Sequence, residues 1–299
     1  MYRYNDEGSA MSWGWEIAAL PVVVYAFIVA AGFRRLPDTE IDRWIDAYGA
    51  PVDEDTRSLA ERYLTRTRRI RFSFAILGLG AWMIMTESTS IGFGTWISGL
   101  VGYLVGSVVA ELTHSRPIAA DGSVSAVLSR RSFAWYMPRY VPAVIVALPV
   151  ACAASAAWLV QIAPRATDNF AKPDAVPVGA GSLFSIVLTI VVGSSMWAIV
   201  RRPQPASSID AVAADDAFRS SSMHAMAGAL VTLDLLLLSY TLSKLQNALS
   251  AIGSGFADLM TYLSMLAFAM TLAAWLIIGH PSSWRTPRSL DPTPTDPRA

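Results

Sequence analysis

Seven stretches of the sequence, at about 13–33, 72–86, 91–110, 140–163, 181–200, 223–243 and 256–279, are apolar over a length that can cross a bilayer. A hydrocarbon core about 30 Å thick takes roughly 20 residues of helix, and every backbone N–H and C=O inside it must be satisfied within the protein. Helices meet that demand segment by segment, so the predicted fold is all-α: a polytopic transmembrane helix bundle of about seven spans. The stretch at 72–86 is short, bounded by Arg71 and Glu87, and needs snorkelling flanks or cover from its neighbours. Of 299 residues, 54% are hydrophobic and 15% charged, with the charges clustered between the runs, which excludes an ordinary soluble domain. The formal net charge of zero gives no bulk attraction to nucleic acid.

The cations set an orientation. With the N-terminus outside and the C-terminus inside, 19 of the 23 Lys and Arg residues fall on the inner side, and Arg3, Arg165, Lys172 and Lys244 fall outside. In this reading residues 1–280 form the membrane domain and 281–299, with Pro287, Pro292, Pro294 and Pro297, form a disordered cytoplasmic tail. Residues 203–222, with Asp215, Asp216 and Arg219, are read as a polar inner turn, and residues 164–180 as an irregular outer connector rich in Pro and Gly. Pro21, Pro142 and Pro149 are expected to bend the spans that contain them.

The inner loop 34–71 has a helical pattern of its own. Ile41, Trp44, Ile45 and Tyr48 recur at helical spacing until Gly49 and Pro51, and a second helix is predicted to start near Asp53-Glu54-Asp55 and to run into the 72–86 stretch. Arg62, Arg66, Arg68 and Arg69 then read as contacts to anionic lipid head groups or to a cytoplasmic protein partner. The Tyr48-Gly49-Ala50-Pro51 turn and the Arg62-to-Arg69 run resemble loops in multi-pass membrane proteins of high-GC Gram-positive bacteria. That resemblance covers about forty residues. It implies a bacterial plasma membrane setting and no particular activity.

Few residues could carry chemistry. Asp234 lies ten residues beyond His224, hence about 15 Å deep and near the midplane of its span. An acid there costs about 2.5–3.5 kcal/mol, so it is expected to face the bundle, either as a proton- or cation-binding group or as a partner in an interhelical hydrogen bond to Ser or Thr. Glu111, His114, His224 and His280 would all lie near the inner interface, where polar span ends are the ordinary explanation. Ser98, Gly102, Gly106 and Ala110, four apart, read as a seam for close helix packing. A single cysteine, Cys152, excludes an intrachain disulfide and a Cys-based zinc site. No phosphate-binding glycine loop, nucleophile elbow or paired metal-ligand motif is present, so no catalytic residue, metal or cofactor is assigned. The expected role is a permease-like transport component with a titratable acid in the bundle. The alternative is a non-catalytic scaffold or sensor that binds a regulatory partner at loop 34–71. The oligomeric state is left unassigned.

Overall fold

The computed structural model describes residues 36–86, 93–113, 133–165, 175–202 and 209–279, together with 30, 33 and 34. Among these residues 91% are helical and none is in a strand. In chain order the helices are α1 (Asp38–Tyr48), α2 (Glu54–Thr86), α3 (Phe93–Leu112), the one-turn α4 (Phe133–Tyr136), α5 (Tyr140–Ile162), α6 (Ala175–Arg201), α7 (Ile209–Ala251) and α8 (Ala257–Gly279). A 3₁₀ turn, Ala163–Arg165, follows α5. Among the described residues four segments are long and apolar enough to cross a membrane: Tyr140–Arg165, Val176–Arg201, Val212–Ala251 and Ala257–Gly279. The first expected span, with Pro21, and the C-terminal tail lie outside the described residues.

The described chain divides into two compact units, one formed by Arg62–Ala110 and the other by Pro37–Glu61 and the residues from 111 onward. In the first unit, α3 lies against α2 along glycines. A Cβ on Gly102 would run into the Phe74 carbonyl, one on Gly78 into the Ser98 carbonyl, and one on Gly106 would come within 2.9 Å of the Arg71 Cα. Ser98, Gly102 and Gly106 thus line a backbone-to-backbone contact within this chain, and Ala110 at its end is buried. Phe72 meets Tyr103 edge-on at 6.4 Å beside it.

The second unit is built around α7. Every residue from 214 to 237 is buried, and 89% of the most apolar window of this helix is covered, against 28% for α5, 33% for α6 and 17% for α8. A helix apolar on all sides is one that other helices enclose, and α5, α6 and α8 each pack on α7. Contact register gives their directions. Cys152 and Tyr136 meet Asp234 and Asp216, so α5 runs parallel to α7. Ser185 meets Asp234 and Gly181 lies by Leu237, while Ser239 meets Ser264 and Thr232 meets Thr271, so α6 and α8 run antiparallel to it. At one end Leu159, Val178, Leu245, Leu249 and Met260 close an apolar core shared by all four helices. Outward-facing Val146, Val150, Leu183, Ile190, Leu266, Phe268 and Leu272 leave these helices an apolar exterior that suits lipid.

Three sequence expectations change. Residues 209–222 are not a turn: they are the first turns of α7, a 43-residue helix about 65 Å long, roughly twice the hydrocarbon thickness. Helix α6 starts at Ala175, so Pro177 falls in its first turn, where a missing N–H costs nothing, and residues 175–180 are not connector. Pro142 likewise sits in the first turn of α5, leaving Pro149 as the proline inside that helix. The amphipathic α1 ends where expected, with Gly49 in the left-handed region at φ 61° and its N–H bonded to the Ile45 carbonyl. Helix α2 begins where the acids predicted, with the Asp53 carboxylate accepting from the Thr56 N–H at 3.3 Å.

Gly228 on α7 lies close against α8, where an added Cβ would stand 2.7 Å from the Gly279 Cα. Gly228→Val is therefore expected to cost about 1–3 kcal/mol and to lower the unfolding temperature in detergent. Gly193→Val, at a position with nothing within 4 Å, should leave that temperature unchanged. Equal melting of the two variants would contradict the close α7–α8 approach.

Candidate functional site

Two polar levels interrupt the apolar length of α7. The deeper one is Asp234, fully buried among α5, α6 and α7. Ser185 on α6 donates its hydroxyl to Asp234 Oδ1 at 2.6 Å, a short bond of the kind a carboxyl oxygen makes when no water competes. The other oxygen, Oδ2, is buried with no hydrogen-bond partner. The Cys152 thiol, on α5, reaches the Asp234 backbone carbonyl at 3.5 Å.

Ser182, Ser185 and Thr189 sit at i, i+3 and i+7, so α6 turns one hydroxyl-bearing face toward the bundle. Ser182 spends its hydroxyl on the carbonyls of Val178 and Cys152, at 3.0 and 3.3 Å. The Thr189 hydroxyl is buried and unbonded. The interhelical bond expected for Asp234 is therefore made, but it serves one oxygen of the two.

The second level is a collar near the start of α7, and the sequence did not reveal it. Arg219 is fully buried: its Nε donates to Asp215 Oδ2 at 2.7 Å, one helical turn earlier. Its Nη1 donates to the carbonyls of Ile199 and Arg202 at 2.7 and 2.8 Å. Arg219 thereby caps the C-terminus of α6, where the last carbonyls lack intrahelical partners and the helix dipole favours a cation. Arg219 is therefore a buried residue of α7 and not a cation of a polar turn. Beside it the Tyr136 hydroxyl donates to Asp216 at 2.8 Å, and Ser222 donates to Glu111. Arg202 reaches the Glu111 carbonyl at 3.3 Å.

Helix α1 completes the collar. Trp44 stacks on Phe218 at 5.2 Å and its indole N–H donates to Ser221 at 3.2 Å, while Tyr48 lies 6.4 Å from the His224 ring. The stripe Ile41, Trp44, Ile45 and Tyr48 is thus buried. Arg57 on α2 ties back to Asp42 at 2.6 Å.

Two of the four residues proposed for the inner interface are among the described residues. Glu111 bonds Ser222, and the His224 Nδ1 faces the Ile278 carbonyl at 3.0 Å, while His114 and His280 lie outside the described residues. Among the described residues no group of three His, Cys, Asp or Glu could hold a metal. Arg62, Arg66 and Arg69 are exposed on α2 and Arg68 is half-buried. The only sequence sign of the collar is the i, i+4 spacing of Asp215 and Arg219 within a run of small residues.

Among the described residues, what this arrangement defines is an all-helical fold with four helices long and apolar enough to cross a membrane and an acid enclosed among them. The chain matches no family model, no curated protein and no solved structure.

Replacing Arg219 by Met takes the guanidinium away from the buried Asp215 carboxylate and uncaps α6, at an expected cost of about 3–5 kcal/mol. Adding Asp215→Asn should recover part of it, so thermal unfolding in detergent is expected to rank wild type first, then the double variant, then Arg219→Met. A double variant less stable than Arg219→Met would show that the pair is not the element that matters.

Proposed function

We propose that this is a multi-pass protein of the bacterial plasma membrane, crossing seven times with its N-terminus outside and its C-terminus inside, and that it serves as a permease-like transport component in which Asp234 binds a proton or cation. The cation asymmetry of the loops supports the orientation, and the alternating directions of α5 to α8 agree with it. The observation that carries the functional reading is the state of Asp234. An acid enclosed in a span and bonded through one oxygen only is more than an anchor requires, since Asn or Ser could tie α7 to Ser185 without the cost of a carboxyl group.

Reconstitution into liposomes tests this. Imposed pH or cation gradients are expected to drive flux above that of empty liposomes, and Asp234→Asn is expected to return it to that level. A wild-type protein that moves nothing, or an Asp234→Asn variant that moves as much as wild type, would overturn the reading.

The docking of α1 favours a second reading, a scaffold or sensor. A partner bound to the exposed acids of α1, Asp38, Glu40, Asp42 and Asp46, would act on α7 through Trp44 and Tyr48. Crosslinking from this helix in native membranes should recover a protein if that reading holds, and recovery of lipid alone would count against it.

A further inference from the structure

The surroundings of Asp234 discriminate between the ions it could take. A metal cation stripped of water needs several oxygen ligands to replace its hydration shell, whereas a proton needs one. Around Asp234 the oxygens are few. Ser185 supplies one hydroxyl, Thr189 on the same face of α6 holds a second that is buried and unbonded, Ser182 has committed its own to two backbone carbonyls, and the Asp234 backbone carbonyl receives the Cys152 thiol.

Along the bundle, apolar side chains bound the site on both sides. Toward the collar stand Ile145 and Pro149 on α5, Val192 and Met196 on α6, and Met226 and Leu230 on α7, all buried. Toward the other end stand Leu159, Val178, Leu242 and Leu245. A hydrated cation would have to part both layers, while a proton crosses such a layer on a transient file of water.

Charges that could hold a cation by attraction are also lacking nearby among the described residues. The titratable group facing Asp234 is Cys152 on α5, and α6 faces it with hydroxyls. On α8 the titratable groups are Asp258 and Tyr262, both exposed in its first two turns. On α7 itself, the half-buried Tyr240 is six residues away, and His224 and Lys244 are each ten residues away, about 15 Å along the axis.

Resting on the reading of Asp234 as the transport acid, we propose that its ligand is a proton and not a metal cation: the carboxyl group takes up and releases H⁺ at Oδ2 while Oδ1 stays bonded to Ser185. The exchange is a proton transfer alone, carboxylate to carboxylic acid and back, with no other bond made or broken.

Infrared difference spectroscopy on the full chain in lipid nanodiscs tests it. The carbonyl stretch of a protonated carboxyl group should rise and fall with pH, vanish in Asp234→Asn and shift in frequency in Ser185→Ala, which removes the hydrogen bond and keeps the acid. Adding Na⁺, K⁺, Mg²⁺ or Ca²⁺ at fixed pH should leave the band unchanged. A band that any of these cations discharges, or a carboxylate signal at every pH, would overturn the proposal. If Asp234→Asn does not fold, the frequency shift in Ser185→Ala makes the assignment, and no shift there counts against it. The two readings fail separately: a pH-dependent band with no flux in liposomes removes the transport role and leaves the proton site.

Discussion

A helix enclosed on all sides in a membrane protein has no solvent to fall back on. Each polar group it carries must find its partner on a neighbouring helix, and α7 meets this demand unevenly along its length. At the collar, the charges and hydroxyls from Asp215 to His224 are tied to α1, α4, the end of α3, and the ends of α6 and α8. At Asp234 one oxygen is satisfied and the other is not. Between these levels the packing is carried by Met, Leu, Ala and Gly, with Gly228 letting α8 approach to backbone contact.

The two levels do different work. Arg219 neutralises Asp215 and takes the last carbonyls of α6, so the collar is a structural junction between the two helices. It also fixes where α1 sits, through Trp44 and Ser221. Asp234 has no such web. Its single strong bond holds it in place without neutralising it.

Much of the architecture was legible because lipid-crossing helices advertise themselves by length and apolarity, as at 140–163 and 256–279. The helix starting at Glu54, just after Asp53, and the stop at Gly49 were legible too, since caps are local chemistry. The place of residues 209–222 in α7 was not legible, because polarity in a sequence reads as solvent exposure. Asp215, Asp216 and Arg219 are polar and buried together, and no residue pattern read singly shows that the partners lie on α4 and α6. Pro142 and Pro177 misled for the converse reason: a proline breaks a helix only past its first turn. The depth of Asp234 could be counted from His224, but its partner, 49 residues back on α6, could not.

The central claim is that α7 is enclosed by its own chain and not by lipid. Nitroxide labels placed one at a time along 223–237 in a Cys152→Ala background, with collisions by lipid-dissolved oxygen as the readout, measure that enclosure position by position. Uniformly low oxygen contact along α7, set against a strong helical period along 262–272 of α8, is the expected result. A stripe of high oxygen contact repeating at helical spacing on α7 would contradict the account and return Asp234 to the edge of the bundle.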